Sequence, residues 1–211
     1  MKARLTAGIA AAATAALALT AAAPAQAAAP TERRAASTSL VEVLAADGTR
    51  LDRNWKDFDL LEQGVLAVLD AKPKSPVKLL AQGGKRATAF LPTDAAFRAL
   101  VADLSGTRPA TEKATLKALL AVADVDTLET VLLYHVVAGR TLTSPKVVAA
   151  DGAKLRTAQG GRIGVEVTGK KVVVTDLDPD DRDPRVVTVD VNKGSKQVGH
   201  AIDRVLRPID L

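Results

Sequence analysis

Two histidines, His135 and His200, are the only imidazoles in the chain, and there is no cysteine. Imidazole is the side chain that most readily carries a proton or a metal near neutral pH. These two positions therefore decide much of the chemistry open to the sequence. A zinc-type site would need both rings to converge with carboxylates, because thiolates are absent. Each histidine instead sits in an apolar run, "LLYHVVAG" over residues 132–139 and "QVGHAIDRVL" over residues 197–206. Buried polar groups need partners, so the expectation is two core rings hydrogen-bonded to protein, with the Thr93 hydroxyl and the Asp203 carboxylate as partners for His135. Ser195, His200 and Asp203 supply the residue types of a nucleophilic triad. No Gly-x-Ser-x-Gly elbow accompanies them, and residues three apart on a strand face opposite sides, so catalysis is not expected.

The acidic stretch "DLDPDDRDP", residues 176–184, places Asp176, Asp178 and Asp180 at alternate positions. A calcium loop begins this way but needs Gly at its sixth place and Glu at its twelfth. Asp181 and Val187 stand there instead. The stretch reads as a solvated hairpin tip, with Asp176, Asp178, Asp180 and Asp181 as charges available to a partner. "GGRIG", residues 160–164, lies between strands with no helix after it, so it lacks the dipole that cradles phosphate. The sequence assigns no metal and no cofactor.

The net charge is +5, and two of those charges belong to Lys2 and Arg4. Aromatic residues are Trp55, Phe58, Phe90, Phe97 and Tyr134 alone. No basic cluster interleaved with aromatics exists, which argues against nucleic-acid binding. Lys2 and Arg4 precede an apolar run over residues 7–23, which leads into "APAQA" and its small-x-small end. That order is a secretory signal peptide over residues 1–27. Residues 28–38 then read as a linker and residues 39–211 as one domain. No second apolar stretch reaches membrane-spanning length, so no stable membrane anchor is expected in the mature chain.

Helical periodicity dominates the first part. Ser39 caps "LVEVLAAD" up to Gly48, and residues 56–71 form an amphipathic helix. Residues 76–86, "PVKLLAQGGKR", read as loop or ragged strand. Thr93 or Asp94 starts one helix, Thr111 another, and an Asp126–Glu129 pair caps a third. From Leu142 onward the period becomes two, through "KLRTA", "RIGVEV", "KVVVTD" and "RVVTVDV", with "HAIDRVLRP" as the closing strand. Helices first and strands later give an α+β domain, with the strand at residues 87–91 joining the later sheet.

Three segments in this order, "TAFLPTDAAF" (residues 88–97), "LLYHVVAG" and "HAIDRVL", resemble the motifs of the fasciclin domain, over residues 39–211. The resemblance implies a wedge of two small β-sheets with helices packed along one edge. It implies structural motif roles for Phe90, Pro92, Thr93, Phe97, Tyr134, His135, His200, Ile202 and Asp203. It also implies an adhesion or interaction module rather than a catalyst. The Tyr-His segment is tied to receptor contact in animal members, which makes Tyr134 a candidate contact. The chain departs from the pattern at Gly199, directly before His200, which alters the turn leading into that strand. It also departs in two insertions, residues 105–126 and 176–184, where partner contacts are expected. With an Ala- and Val-rich bacterial composition, the expectation is a secreted, extracellular, single-domain module. It would bind a protein or glycan of a cell surface, matrix or envelope. The alternative is a small-ligand-binding or hydrolytic envelope protein using His135 or His200. Export is directly testable: mass spectrometry of protein from culture medium is expected to give an N-terminus at or near Ala28, and an intact Met1 form held in the cytoplasm would contradict it.

Overall fold

The computed structural model describes residues 38–208. The expected signal peptide, its cleavage site, nearly all of the linker and the last three residues lie outside the described residues. Strand β1 (Ala87–Pro92) is buried at every position, as a strand must be when both its faces are covered. With β2 (Val136–Ala138), β6 (Val186–Val191) and β7 (Gln197–Ile202) it forms a four-stranded sheet in the order β2-β1-β7-β6. β1 and β7 run parallel, pairing Phe90 with His200 and Pro92 with Ile202. β2 and β6 are antiparallel to their neighbours. The first and last motif segments therefore lie side by side, and the middle one borders them.

β3 (Lys154–Arg156), β4 (Arg162–Thr168) and β5 (Lys171–Thr175) make a second, antiparallel sheet. Its inward residues alternate, as Ile163 and Val165 against Arg162 and Glu166, because successive side chains point to opposite faces. Six α-helices complete the described chain: α1 (Leu40–Leu44), α2 (Asp59–Ala71), α3 (Asp94–Ser105), α4 (Glu112–Val122), α5 (Val125–Tyr134) and α6 (Ser144–Val148). This is an α+β fold with two small sheets and helices packed along them, as the sequence implied. No helix among the described residues is long and apolar enough to cross a membrane.

Two apolar cores result, and β1 feeds both. Ala89 and Leu91 join Leu40, Val68 and Phe97 beneath the helices. Phe90 points the other way, to Tyr134, Ile163, Val174, Ile202 and Leu206 between the sheets. Each fully buried Leu, Ile or Phe contributes about 1.5–3 kcal/mol, so a strand shared by both cores couples them. Gln197 adds a polar clasp: its Oε1 accepts from the Leu40 amide at 2.9 Å and its Nε2 donates to Leu79 and Gln82 carbonyls at 2.6 and 3.0 Å.

Several local expectations change. The helix expected from residue 56 begins at Asp59. The segment read as loop or ragged strand holds a 3-10 helix, Pro76–Ala81, because Ser75 caps it and Pro76 presets its first turn. The cap of α5 is Asp124, whose carboxylate accepts from the Thr127 amide at 2.8 Å. Asp126 and Glu129 are engaged elsewhere, bracketing Lys72. The closing strand ends at Ile202, and the chain bends at Asp203 and Arg204.

Gly199 belongs to β7 rather than to a turn. A Cβ there would lie 2.4 Å from Leu91 Cδ1 and 3.3 Å from Leu40 Cδ2. Its absence lets α1 and β1 close on β7. Gly199→Ala is expected to cost about 1–3 kcal/mol through overpacking, read as a lower urea midpoint at unchanged m-value. An unchanged midpoint would contradict this packing.

Candidate functional site

His135 is the C-terminal cap of α5, and its main-chain oxygen accepts from the Phe90 amide at 2.9 Å. Its ring has two partners. Nδ1 lies 2.7 Å from the Val131 carbonyl, and Nε2 accepts from the Leu206 amide at 2.9 Å. A carbonyl can only accept and an amide can only donate, so the proton sits on Nδ1 and the ring is neutral. The expected partners are corrected. The Thr93 hydroxyl makes no helix-capping bond, and the Thr93 amide donates to the Ile202 carbonyl at 3.2 Å. Asp203 lies in the bend after β7, where its carboxylate accepts from the Arg185 amide at 2.7 Å and from Arg182 Nη2 at 2.9 Å.

His200 is also fixed in a neutral form. Nε2 donates to the Leu142 carbonyl at 2.7 Å, and the Asp190 amide donates to Nδ1 at 3.4 Å. The ring tilts against Phe90 with centroids 5.9 Å apart. Ser195 and Asp203 flank opposite ends of β7. At about 3.3 Å per residue they are roughly 25 Å apart, so the triad read from composition does not assemble. Tyr134 is fully buried, its hydroxyl donating to the Arg162 carbonyl at 2.9 Å. A partner could reach the ring only by opening the core. Burial, with the nearby Asp176 charge, lifts its phenol to about 12. Phe90, Pro92, Phe97 and Ile202 are buried beside these groups.

The acidic stretch folds inward around a residue that sequence reasoning missed. Arg207, only 5% exposed, reaches Asp178 Oδ2 at 2.8 Å, Asp103 Oδ2 at 3.0 Å and Asp181 Oδ2 at 3.4 Å. Its amide donates to Asp176 Oδ2 at 2.7 Å. Arg204 adds a bond to Asp103 at 3.2 Å. The solvated tip is therefore corrected for Asp176 and Asp178, which face protein, whereas Asp180 is exposed. The one sequence signal was "DRVLRP", two arginines in the closing segment, which follows the run of aspartates after one strand and its turn.

Between α2, α3, α4 and α5 opens an apolar cleft of about 380 Å³, with Pro92, His135 and Val205 among its lining residues. Leu60, Phe97, Leu119 and Leu128 also line it, and Leu104, Leu120 and Val122 project at 42%, 52% and 66% exposure. His200 does not contribute to it. A second cluster, also missed from the sequence, gathers Asp52, Asp57, Asp59, Asp94 and Glu112 at the start of α2, α3 and α4. Asp94 Oδ1 accepts from the Leu60 amide at 3.0 Å, so it caps α2 across space. Burial first, then neighbouring carboxylates, raises Asp94 to about 8 and Glu112 to about 7.

Burial pulls His135 from 6.5 down to about 4, and lowers His200 as well. As pH falls, the unfolded histidine protonates first. The stability from neutral His135 is complete above pH 6.5 and is lost by about 1.4 kcal/mol per unit as pH falls toward 4. Asp94 and Glu112 act oppositely, since their raised values favour the folded state as pH falls through 8 and 7. Imidazole NMR separates the two effects: the His135 ring is expected to titrate near pH 4, and titration near 6.5 would contradict its burial. His135→Ala is expected to cost about 2–4 kcal/mol, from the cavity and the orphaned Leu206 amide.

The Fasciclin domain family model matches residues 66–208. No curated protein matches the chain. Among solved structures, the chain is similar to a FAS1 domain pair from the insect cell adhesion molecule Fasciclin I. The two are 19% identical with a TM-score of 0.46, over 66% of this chain and 49% of that one, so this chain spans about half of that structure's length. By the match over residues 66–208, the chain belongs to the fasciclin domain family.

Proposed function

We propose that this chain is an exported, non-catalytic adhesion module that grips an aliphatic segment of a protein at a cell surface, matrix or envelope. The observation that carries the reading is the cleft between α2 and α5, open to solvent and rimmed by Leu104, Leu120 and Val122. Large apolar side chains exposed together around a concavity mark interaction surfaces. Two of the three belong to α4, within residues 105–126, the insertion where contacts are expected from sequence. A glycan would favour aromatic platforms and polar donors, and Phe97 is the cleft's single aromatic residue. Family membership supports an interaction role, and the similar insect molecule is named as a cell adhesion molecule. Both histidines spend both ring nitrogens on backbone groups, which leaves neither ring placed as a general base. Asp180, exposed on the acidic loop, remains a candidate peripheral contact.

The same cleft favours a second reading, uptake of a small apolar ligand, because its volume falls within the range of small-molecule pockets. The hydrolytic alternative has no such support.

Retention of the purified chain on isolated envelope or matrix fractions tests the proposal. Leu120→Asp with Val122→Asp is expected to lower retention at least tenfold with an unchanged melting temperature, and Asp180→Asn to change it less than twofold. Protease treatment of the fraction should abolish retention. Retention that survives protease but not glycosidase would assign a glycan instead, and retention indifferent to the α4 substitutions would remove the cleft from the account.

A further inference from the structure

The acidic cluster has a composition that the adhesion reading does not use. Oxygens of Asp57, Asp94 and Glu112 lie within 4.8 Å of one another, as do those of Asp52, Asp57 and Asp59. Asp94 and Glu112 are 0% exposed. Asp94 Oδ2 and both carboxylate oxygens of Glu112 are buried with no hydrogen-bond donor reaching them from outside the cluster. Buried carboxylate oxygens left in that condition are costly. Arg98, one turn along α3 from Asp94, does not relieve them. Its guanidinium stacks 4.2 Å over the Trp55 ring and its Nε donates to the Pro109 carbonyl at 2.6 Å.

Part of the compensation comes from the helices. α2, α3 and α4 begin at Asp59, Asp94 and Glu112, so three positive helix ends face the cluster. Each end is worth about half a charge. Together they offset roughly half the charge of three ionised carboxylates. The loop is also held in place from outside the cluster, because Asp94 and Ala95 donate their amides to the Asp57 and Trp55 carbonyls at 3.1 and 2.9 Å. The oxygens are thus presented by a fixed frame.

We propose that Asp57, Asp94 and Glu112 form a calcium site, with buried Asp59 close by and Asp52 at its mouth. The donor set is all oxygen, which suits a hard cation and excludes the sulfur and imidazole ligation typical of zinc. Calcium takes about six to eight oxygen ligands in flexible geometry, whereas magnesium keeps several waters and is seldom held in an all-protein cage, so a cluster of carboxylates favours calcium. Asp52 is exposed and gives the ion a route in. Glu112 is the first residue of α4, so the bound cation pins that helix to the starts of α2 and α3.

The test uses the mature chain stripped with chelator. Millimolar calcium is expected to raise its melting temperature by about 5 °C or more, and magnesium to have less than half that effect. Terbium bound in the cluster should emit when Trp55, the chain's single tryptophan, is excited, and calcium should quench that emission by displacement. Glu112→Gln, which keeps the side-chain size, is expected to weaken both responses at least tenfold while far-UV circular dichroism is unchanged. Asp52→Asn, at an exposed position, should weaken them severalfold, and Asp180→Asn with Asp181→Asn should leave them intact. A parent chain with neither a thermal shift nor sensitised emission would overturn the site. So would a response that follows the Asp180 and Asp181 substitutions rather than Glu112.

Discussion

His135 ties together three parts of the chain that the central sheet brings side by side. Through Nδ1 it closes the last turn of α5 on Val131, and through Nε2 it receives the Leu206 amide from the segment after β7. Its carbonyl takes the Phe90 amide from β1. Each bond is modest on its own, about 1 kcal/mol net. Broken singly, each would leave a buried polar group without water or partner, and that penalty is larger than the bond. The two cores depend on the arrangement. Phe90 and Leu206 belong to the core between the sheets, while Leu132 and Leu133, beside His135, belong to the one under the helices.

A ring held in this way has its polar atoms committed to the backbone. The same holds for His200, locked between Leu142 and Asp190, and for Tyr134, whose hydroxyl is spent on Arg162. In the proposed function, recognition falls to surfaces whose residues the fold does not need, and α4 provides one. Its buried side, with Thr115 and Leu119, packs inward, whereas Leu120 and Val122 stay in solvent. The acidic loop shows the opposite outcome. Its charges look free in sequence, but Arg207 gathers Asp178 and Asp181 into a buried ion-pair network.

Much of the fold was legible because its signals are local. Ser39 and Thr111 cap their helices, and the alternation in β4 and β5 marks a half-covered sheet. The Phe-x-Pro-Thr and Tyr-His segments carry the family. Less legible was anything that depends on residues distant in sequence. His135 finds backbone atoms of Val131 and Leu206, and no side-chain pattern announces a backbone partner. Asp94 reads as the cap of its own helix, but its carboxylate serves α2 instead. Glu112, unremarkable at the start of α4, meets Asp57 and Asp94 only after the helices pack. Arg207 lies too far along the chain from Asp103 for spacing to suggest the pair.

Amide hydrogen exchange at Leu206 tests the central claim most directly, since that single N–H reports whether His135 Nε2 holds the C-terminal segment to α5. Exchange through global unfolding is the predicted outcome, with Leu206 as protected as the Phe90 amide in β1 and following the same denaturant dependence. Fast exchange at Leu206 alongside a protected Phe90 would show that the segment opens without the rest of the fold, and would contradict the account.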